Sequence, residues 1–106
     1  MAKDIYRLHA EACKTLSHAK RLEILDILRQ EEMSVGDIVK KMKVLKANVS
    51  QHLAILRKAG ILKTRREGVT IFYCISSSKV IRACDLMREV LLEQHAQKDS
   101  LLKQLK

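Results

Sequence analysis

The chain has no proline and no tryptophan, and only three glycines, three cysteines and one phenylalanine among its 106 residues. Each shortage excludes something. Without proline, nothing forces a break inside a helical segment. Aromatics at 3% disfavour readers of RNA or single strands, which stack bases on aromatic platforms. Three cysteines, Cys13, Cys74 and Cys84, are an odd number. In a reducing compartment they are free thiols, ligands or redox groups before they are disulfides. No apolar run approaches the roughly 20 residues of a membrane span. The opening MAKDIYRLHAEACK carries charge throughout, unlike a signal peptide. A cytoplasmic protein is the expectation. There is also no Gly-rich phosphate loop and no HExxH, Ser-His-Asp or paired-carboxylate pattern, so no enzyme is expected. A thiol enzyme built on Cys13 and His9 would need an oxyanion hole and a substrate pocket that the sequence does not suggest.

What the chain does have is positive charge. Lys and Arg number 21 against 12 Asp and Glu, a formal net charge of +9 with pI ≈ 9.8. Such a surplus favours polyanions: DNA, RNA or an anionic membrane surface. A content of 47% hydrophobic and 31% charged residues fits one folded domain covering residues 1–106. A domain of this size buries a modest fraction of its surface, and dimerisation would relieve that.

Periodicity orders the chain as four helices, a two-stranded hairpin and a long fifth helix. Asp4 is placed to cap a first helix, about Ile5–Leu16, with Ile5, Leu8, Ala12 and Leu16 on one stripe and Tyr6, His9 and Cys13 beside it. Ser17 is placed to cap a second helix, Ala19–Arg29, burying Leu22, Ile24, Leu25 and Leu28. Ser34 and Asp37 open a third helix as a capping pair, with Ile38, Val39 and Met42 inward. Lys43–Leu45 makes a turn. The fourth helix, Lys46–Ala59, has Val49, Leu53 and Leu56 on one face and ends at Gly60, where a left-handed conformation is cheap for glycine. Strands Ile61–Arg66 and Val69–Ile75 follow, joined at Glu67-Gly68, with Lys63, Arg65 and Arg66 expected at the tip. Ser76–Ser78 caps the last helix. Its stripe of Val80, Cys84, Met87, Leu91 and His95, extended by Leu101, Leu102 and Leu105, is too long for so small a body to cover, which implies a partner helix.

The stretch Val35–Gly60 is therefore a helix-turn-helix, and the basic hairpin after it is a wing. The major groove of B-DNA admits one helix and presents a donor and acceptor code. Lys46, Ala47, Asn48, Ser50 and Gln51 offer the short, amide or cationic side chains that such a helix needs. Lys63, Arg65 and Arg66 on the wing suit the phosphate backbone or the minor groove, supplying affinity more than sequence choice. The alternatives are an ordinary solvated helix face, or a winged helix used only for protein contacts.

The run SHAKRLEILDILRQEEMSVGDIVKKMKVLKANVSQHLAILRKAGILKTRREGVTIFYCI closely resembles the ArsR-type (ArsR/SmtB) winged helix-turn-helix repressors of bacteria. The most specific part is VSQHLAILRKAGIL followed by RREG and FYCI. The resemblance implies a homodimer through the first and last helices, bound to a double-stranded operator with twofold symmetry until an inducer releases it. It places recognition between Lys46 and His52 and the wing between Lys63 and Gly68; His52 itself reads as a packed or hydrogen-bonded turn residue, with base reading the alternative. Two departures stand out: Ala19 where family members often have proline, and Leu45 where many have a capping Ser or Thr.

The family's metal sites find few ligands. A Cys-x-Cys pair at the third helix is replaced by Ser34 and Gly36. A four-ligand set on the last helix becomes Arg82, Cys84, His95 and Lys98, leaving Cys84 and His95 as weak metal candidates. No cofactor is expected, with a soft metal or metalloid ion as the alternative. Thiol sensing would use Cys13, Cys84 and His9, since a protonated His9 four residues from Cys13 favours its thiolate, and the first and last helices are expected to pack together. The competing reading makes Cys13 and Cys84 small apolar residues at an interface. Cys74 reads as a bystander.

Overall fold

The computed structural model describes residues 2–105, apart from the side chains of Ala2, Leu101, Leu102 and Leu105. The expected extension of the last apolar stripe through those three leucines lies outside the described residues. The elements run α1 (Ala2–Leu16), α2 (Ala19–Leu28), β1 (Met33–Ser34), α3 (Val35–Met42), α4 (Lys46–Lys58), β2 (Leu62–Glu67), β3 (Thr70–Ile75) and α5 (Ser78–Leu105). This is a mostly helical winged helix-turn-helix, as the sequence pattern predicts, with one strand more than expected. No helix is long and apolar enough to cross a membrane among the described residues.

The core is drawn from the middle of the chain. Ile24, Leu25 and Leu28 of α2 meet Met33 of β1, Ile38 and Met42 of α3, Val49, Leu53 and Leu56 of α4, and Ile61 and Leu62. Neither α1 nor α5 adds a fully buried side chain among the described residues. Leu16, Val80, Ile81 and Cys84 only lean against the cluster from outside. Leu22, expected inside, is 37% exposed, because α2 buries one side alone and Leu22 falls off it. Ionic contacts fasten α5 to α2. Arg29 donates to Asp85 through both Nη atoms, at 2.6 and 3.2 Å, while Asp26 accepts from Arg29 Nε and, at 3.4 Å, from Arg88. The Arg29 guanidinium holds the Asp85 carboxyl below the usual carboxylate range.

Capping explains the helix starts, and corrects two of them. Asp4 lies inside the first turn of α1, not before it. The cap of α2 is His18, whose Nδ1 accepts from Lys20 N at 3.2 Å; Ser17 Oγ instead donates back to Lys14 O. Imidazole lies outside the usual capping set, for which the Ser17 hydroxyl is the expected group. At α3 the expected reciprocal box forms between Ser34 and Asp37. Lys43 then takes φ 58°, ψ 41° and closes α3 in the left-handed region, unusual for a lysine.

β1 was missed from sequence, being two residues in a polar connection. It completes an antiparallel sheet of order β1-β3-β2, with Met33 opposite Tyr73 and Ser34 opposite Phe72. The hairpin loop lies one residue later than expected. Glu67 pairs with Thr70, leaving Gly68-Val69 as a two-residue loop. Gly68 has φ +62°, and Val69 is not in the positive-φ region, the pattern of a II′ hairpin turn.

Leu45 begins α4 with cap geometry (φ −62°, ψ 136°), makes no side-chain cap hydrogen bond and is 73% exposed. Leu45→Ser is expected to stabilise the fold by about 1 kcal/mol, read as a higher urea midpoint with unchanged slope. A midpoint at or below wild type would show that Leu45 is not a vacant cap.

Candidate nucleic-acid interface

α4 owes its orientation to three residues at helical spacing. Val49, Leu53 and Leu56 are each 0% exposed, so the opposite side must face out. There stand Lys46, Ala47, Asn48, Ser50, Gln51, Ala54 and Lys58, all exposed. No side chain of Lys46, Asn48, Ser50 or Gln51 is engaged in an internal hydrogen bond or ion pair among the described residues. Their donors and acceptors face solvent at the start of the helix. The backbone there is also open: Asn48 N and Val49 N donate to Leu45 O, and the two N–H groups before them lie in the first turn, where no intrahelical acceptor exists. Exposed Lys40, Lys41 and Lys43 at the end of α3 precede this turn in the chain. They were not singled out from sequence. Lys43 is the most telling of the three, because a lysine occupies a backbone conformation that glycine adopts at less cost.

Behind this face, His52 is braced. Its Nδ1 accepts from Arg21 Nε at 3.2 Å, and its ring lies 4.5 Å from that of His18. Arg21 is itself held, donating from Nη1 to Thr15 O at 3.0 Å. Burial lowers the His52 pKa, with His18 and Arg21 adding to the effect, so the neutral ring accepts as the geometry requires. His52 is thus packed and hydrogen-bonded within the body, with α4's base-reading candidates beside it. The clue was the spacing in SHAKR, which places His18 and Arg21 together across one turn of α2.

The wing divides into unlike parts. Lys63 is exposed and opposite Cys74, well before the loop, so it does not sit at the tip as expected. Arg66 is exposed and donates from Nε to Gly68 O at 3.1 Å. Arg65 is occupied: Nε donates to both oxygens of Glu32 at 3.1 and 3.2 Å, Nη2 donates to Glu32 Oε1, and Nη1 donates to Glu67 Oε2 at 2.9 Å. Its guanidinium carbon lies 4.7 Å from the centre of the Phe72 ring.

The thiols are dispersed among different surroundings. Cys13 is exposed on α1, with His9 exposed one turn earlier, and no hydrogen bond joins them among the described residues. Cys84 is half-buried against the core, and burial, then Asp85, pushes its thiol up despite Arg88 and Arg29. That works against thiolate formation there. His95 is exposed. Among the described residues no group of three or more His, Cys, Asp or Glu side chains converges, so Cys84 and His95 do not form part of such a cluster. Cys74 borders an open groove of about 430 Å³ with Leu28, Ile75, Ile81, Arg29 and Arg82.

A buried-backed helix with a polar outer face, followed by a basic hairpin, defines a winged helix-turn-helix nucleic-acid reader. The comparisons agree. Residues 18–64 match the model of the bacterial regulatory protein, arsR family. The HTH-type transcriptional regulator Rv0081 of Mycobacterium tuberculosis is 32% identical over 106 residues, covering 99% of this chain and 93% of that protein. Its crystal structure aligns with TM-score 0.81 at 33% identity, covering 89% of this chain and 95% of that one. The homodimeric winged helix-turn-helix DNA-binding domain of Mb0332 from Mycobacterium bovis aligns with TM-score 0.78 at 31% identity, covering 86% and 84%. The transcriptional repressor BigR from Xylella fastidiosa aligns with TM-score 0.71 at 30% identity, covering 85% and 95%. The chain belongs to the arsR family of bacterial regulatory proteins, and is a DNA-binding transcriptional regulator, not an enzyme.

The His52 brace carries a pH signature. A histidine whose folded-state pKa lies below the ordinary 6.5 contributes stability that is whole above about pH 6.5 and is lost as pH falls through the folded value. Urea unfolding from about pH 7.5 down to about pH 5.5 should show wild type losing stability. His52→Asn keeps an acceptor near Nδ1 but cannot titrate, so its stability should fall less over that range. Parallel curves for the two proteins would rule out His52 as the source.

Proposed function

We propose that the chain is a homodimeric repressor that binds an operator of twofold symmetry and leaves it when an inducer acts. The observation that carries this reading is the polar face of α4, offered without internal partners by a helix whose other face is sealed in the core. A cationic protein with such a face gains affinity from phosphates and choice from base edges. Gln51 and Asn48 suit adenine, Lys46 suits guanine or a phosphate, and Ser50 suits several acceptors.

Support for the dimer comes from apolar surface outside the core. Ile5, Tyr6 and Leu8 on α1 are 58, 72 and 53% exposed, and Leu86, Met87, Val90, Leu91 and Leu92 on α5 are 47 to 62% exposed. Such a surface marks an interaction site. Mb0332 is described as homodimeric and BigR as a repressor, which favours the same assembly and sign here. In a twofold dimer the two α4 helices would enter successive major grooves about 34–36 Å apart. For release, we propose modification of a thiol, with the exposed Cys13 the accessible candidate. Capture of a soft metalloid ion is the other form of the same idea.

Four measurements check this. Affinity for a duplex selected from a random-sequence pool should fall about 10³–10⁵-fold between roughly 50 and 200 mM salt, and Gln51→Ala should lose affinity and relax base preference at one position per half-site. Leu91→Lys should shift the protein to monomers by light scattering, whereas persistence of the dimer would move the interface elsewhere. In a reporter strain, loss of the protein should raise expression from the bound promoter; a fall would make it an activator. If Cys13→Ser and Cys84→Ser both keep wild-type release by oxidants, sulfane sulfur and arsenite, the thiol route fails.

A further inference from the structure

We infer that Arg65 is a positioning residue for the wing, held by Glu32, and not one of the wing's ligands for phosphate; Glu32 is then needed for tight DNA binding despite its negative charge. This rests on the DNA-binding reading above.

The geometry spans the whole sheet. Phe72, on the central strand β3, is opposite both Ser34 of β1 and Arg65 of β2. Glu32 lies two residues before Ser34, immediately ahead of β1. Arg65 therefore reaches from one edge strand, over the Phe72 ring, to a carboxylate beside the other edge strand. The tie matters because the backbone link it supplements is thin. β1 contributes only Met33 and Ser34 to the ladder, and through it the hairpin is joined to the capping box that starts α3.

Chemistry points the same way. Every nitrogen of the Arg65 guanidinium has a carboxylate partner, Glu32 on Nε and Nη2 and Glu67 on Nη1. One cation between two carboxylates is locally net negative, an unfavourable place for a phosphate. Arg65 holds the Glu32 carboxyl below its ordinary range, so the pair stays ionised at neutral pH. Lys63 has no such partner among the described residues, and Arg66 has one carbonyl. These two are left to meet the DNA backbone. The fork geometry requires arginine, because lysine cannot serve two carboxylates and cover a ring in one plane.

General electrostatics and the clamp predict opposite signs, which makes the test direct. Binding is read by fluorescence anisotropy on a duplex that the wild-type protein selects from a random-sequence pool, across a salt series. Hydrogen exchange of the β2 and β3 amides is read on the DNA-free proteins. Glu32→Gln removes a negative charge from a cationic DNA-binding protein, yet should weaken binding about fivefold and speed exchange around Phe72. Arg65→Gln and Arg65→Lys should each do the same, the double variant Glu32→Gln/Arg65→Gln should be no weaker than either single change, and the salt slope should stay at its wild-type value throughout. The inference is overturned if Glu32→Gln binds as tightly as wild type or tighter. It is equally overturned if Arg65→Gln lowers the slope by about 0.9 per protomer, or if Arg65→Lys retains full affinity. Should the wild-type protein select no duplex, the DNA-binding reading falls, while unchanged hairpin exchange in Glu32→Gln would separately remove the clamp.

Discussion

Everything in this molecule depends on one seating, that of α4 on α2 and α3. Val49, Leu53 and Leu56 lose all accessible surface against Ile24, Leu25 and Ile38. Burying each such side chain stabilises by about 1.5–3 kcal/mol, a large share of what a small domain has. Rotation of α4 about its axis would expose these residues, so the direction in which Gln51, Ser50, Asn48 and Lys46 point is fixed by packing on the far side of the same helix. Precision at the surface is a property of the core. The His52 brace adds to this, since its bond from Arg21 ties the middle of α4 to the first turn of α2.

At the outer elements ion pairs are added to apolar packing. α5 is tied to α2 by Arg29, Asp26, Asp85 and Arg88, and the hairpin is tied to the strand beside α3 by Arg65 and Glu32. Exposed ion pairs are individually weak, although the forked Arg29–Asp85 and Arg65–Glu32 geometries are the better sort. Apolar burial sets the inner unit and reaches the sheet through Met33 and Leu62, and the ion pairs add to it at the outer elements.

Much of this was legible in the sequence. Three apolar residues at helical spacing, a capping box and a glycine after the last turn identified α3 and α4, and alternation identified the hairpin. What escaped notice shares a physical cause. β1 is two residues long, too short for any period to register. His18 replaced Ser17 as a cap because ring nitrogen and hydroxyl compete on geometry, which composition does not encode. Leu22 was placed inside because helical spacing gives an arc, and how wide an arc is covered depends on neighbours far along the chain. Arg65 looked equivalent to Lys63 and Arg66 because its partner Glu32 is 33 residues away. Side chains of like charge in one short run can have different partners, and only the fold shows which.

The core's position along the chain has a consequence in time. Among the described residues its fully buried members run from Ile24 to Leu62 without help from α5. During synthesis the residues that close this cluster are made well before the last helix is complete, and domains generally fold as units as they emerge. The reading helix can therefore be seated while α5 is still being made. α5 follows the cluster in the chain, and Val80, Ile81 and Cys84 lean on it from outside.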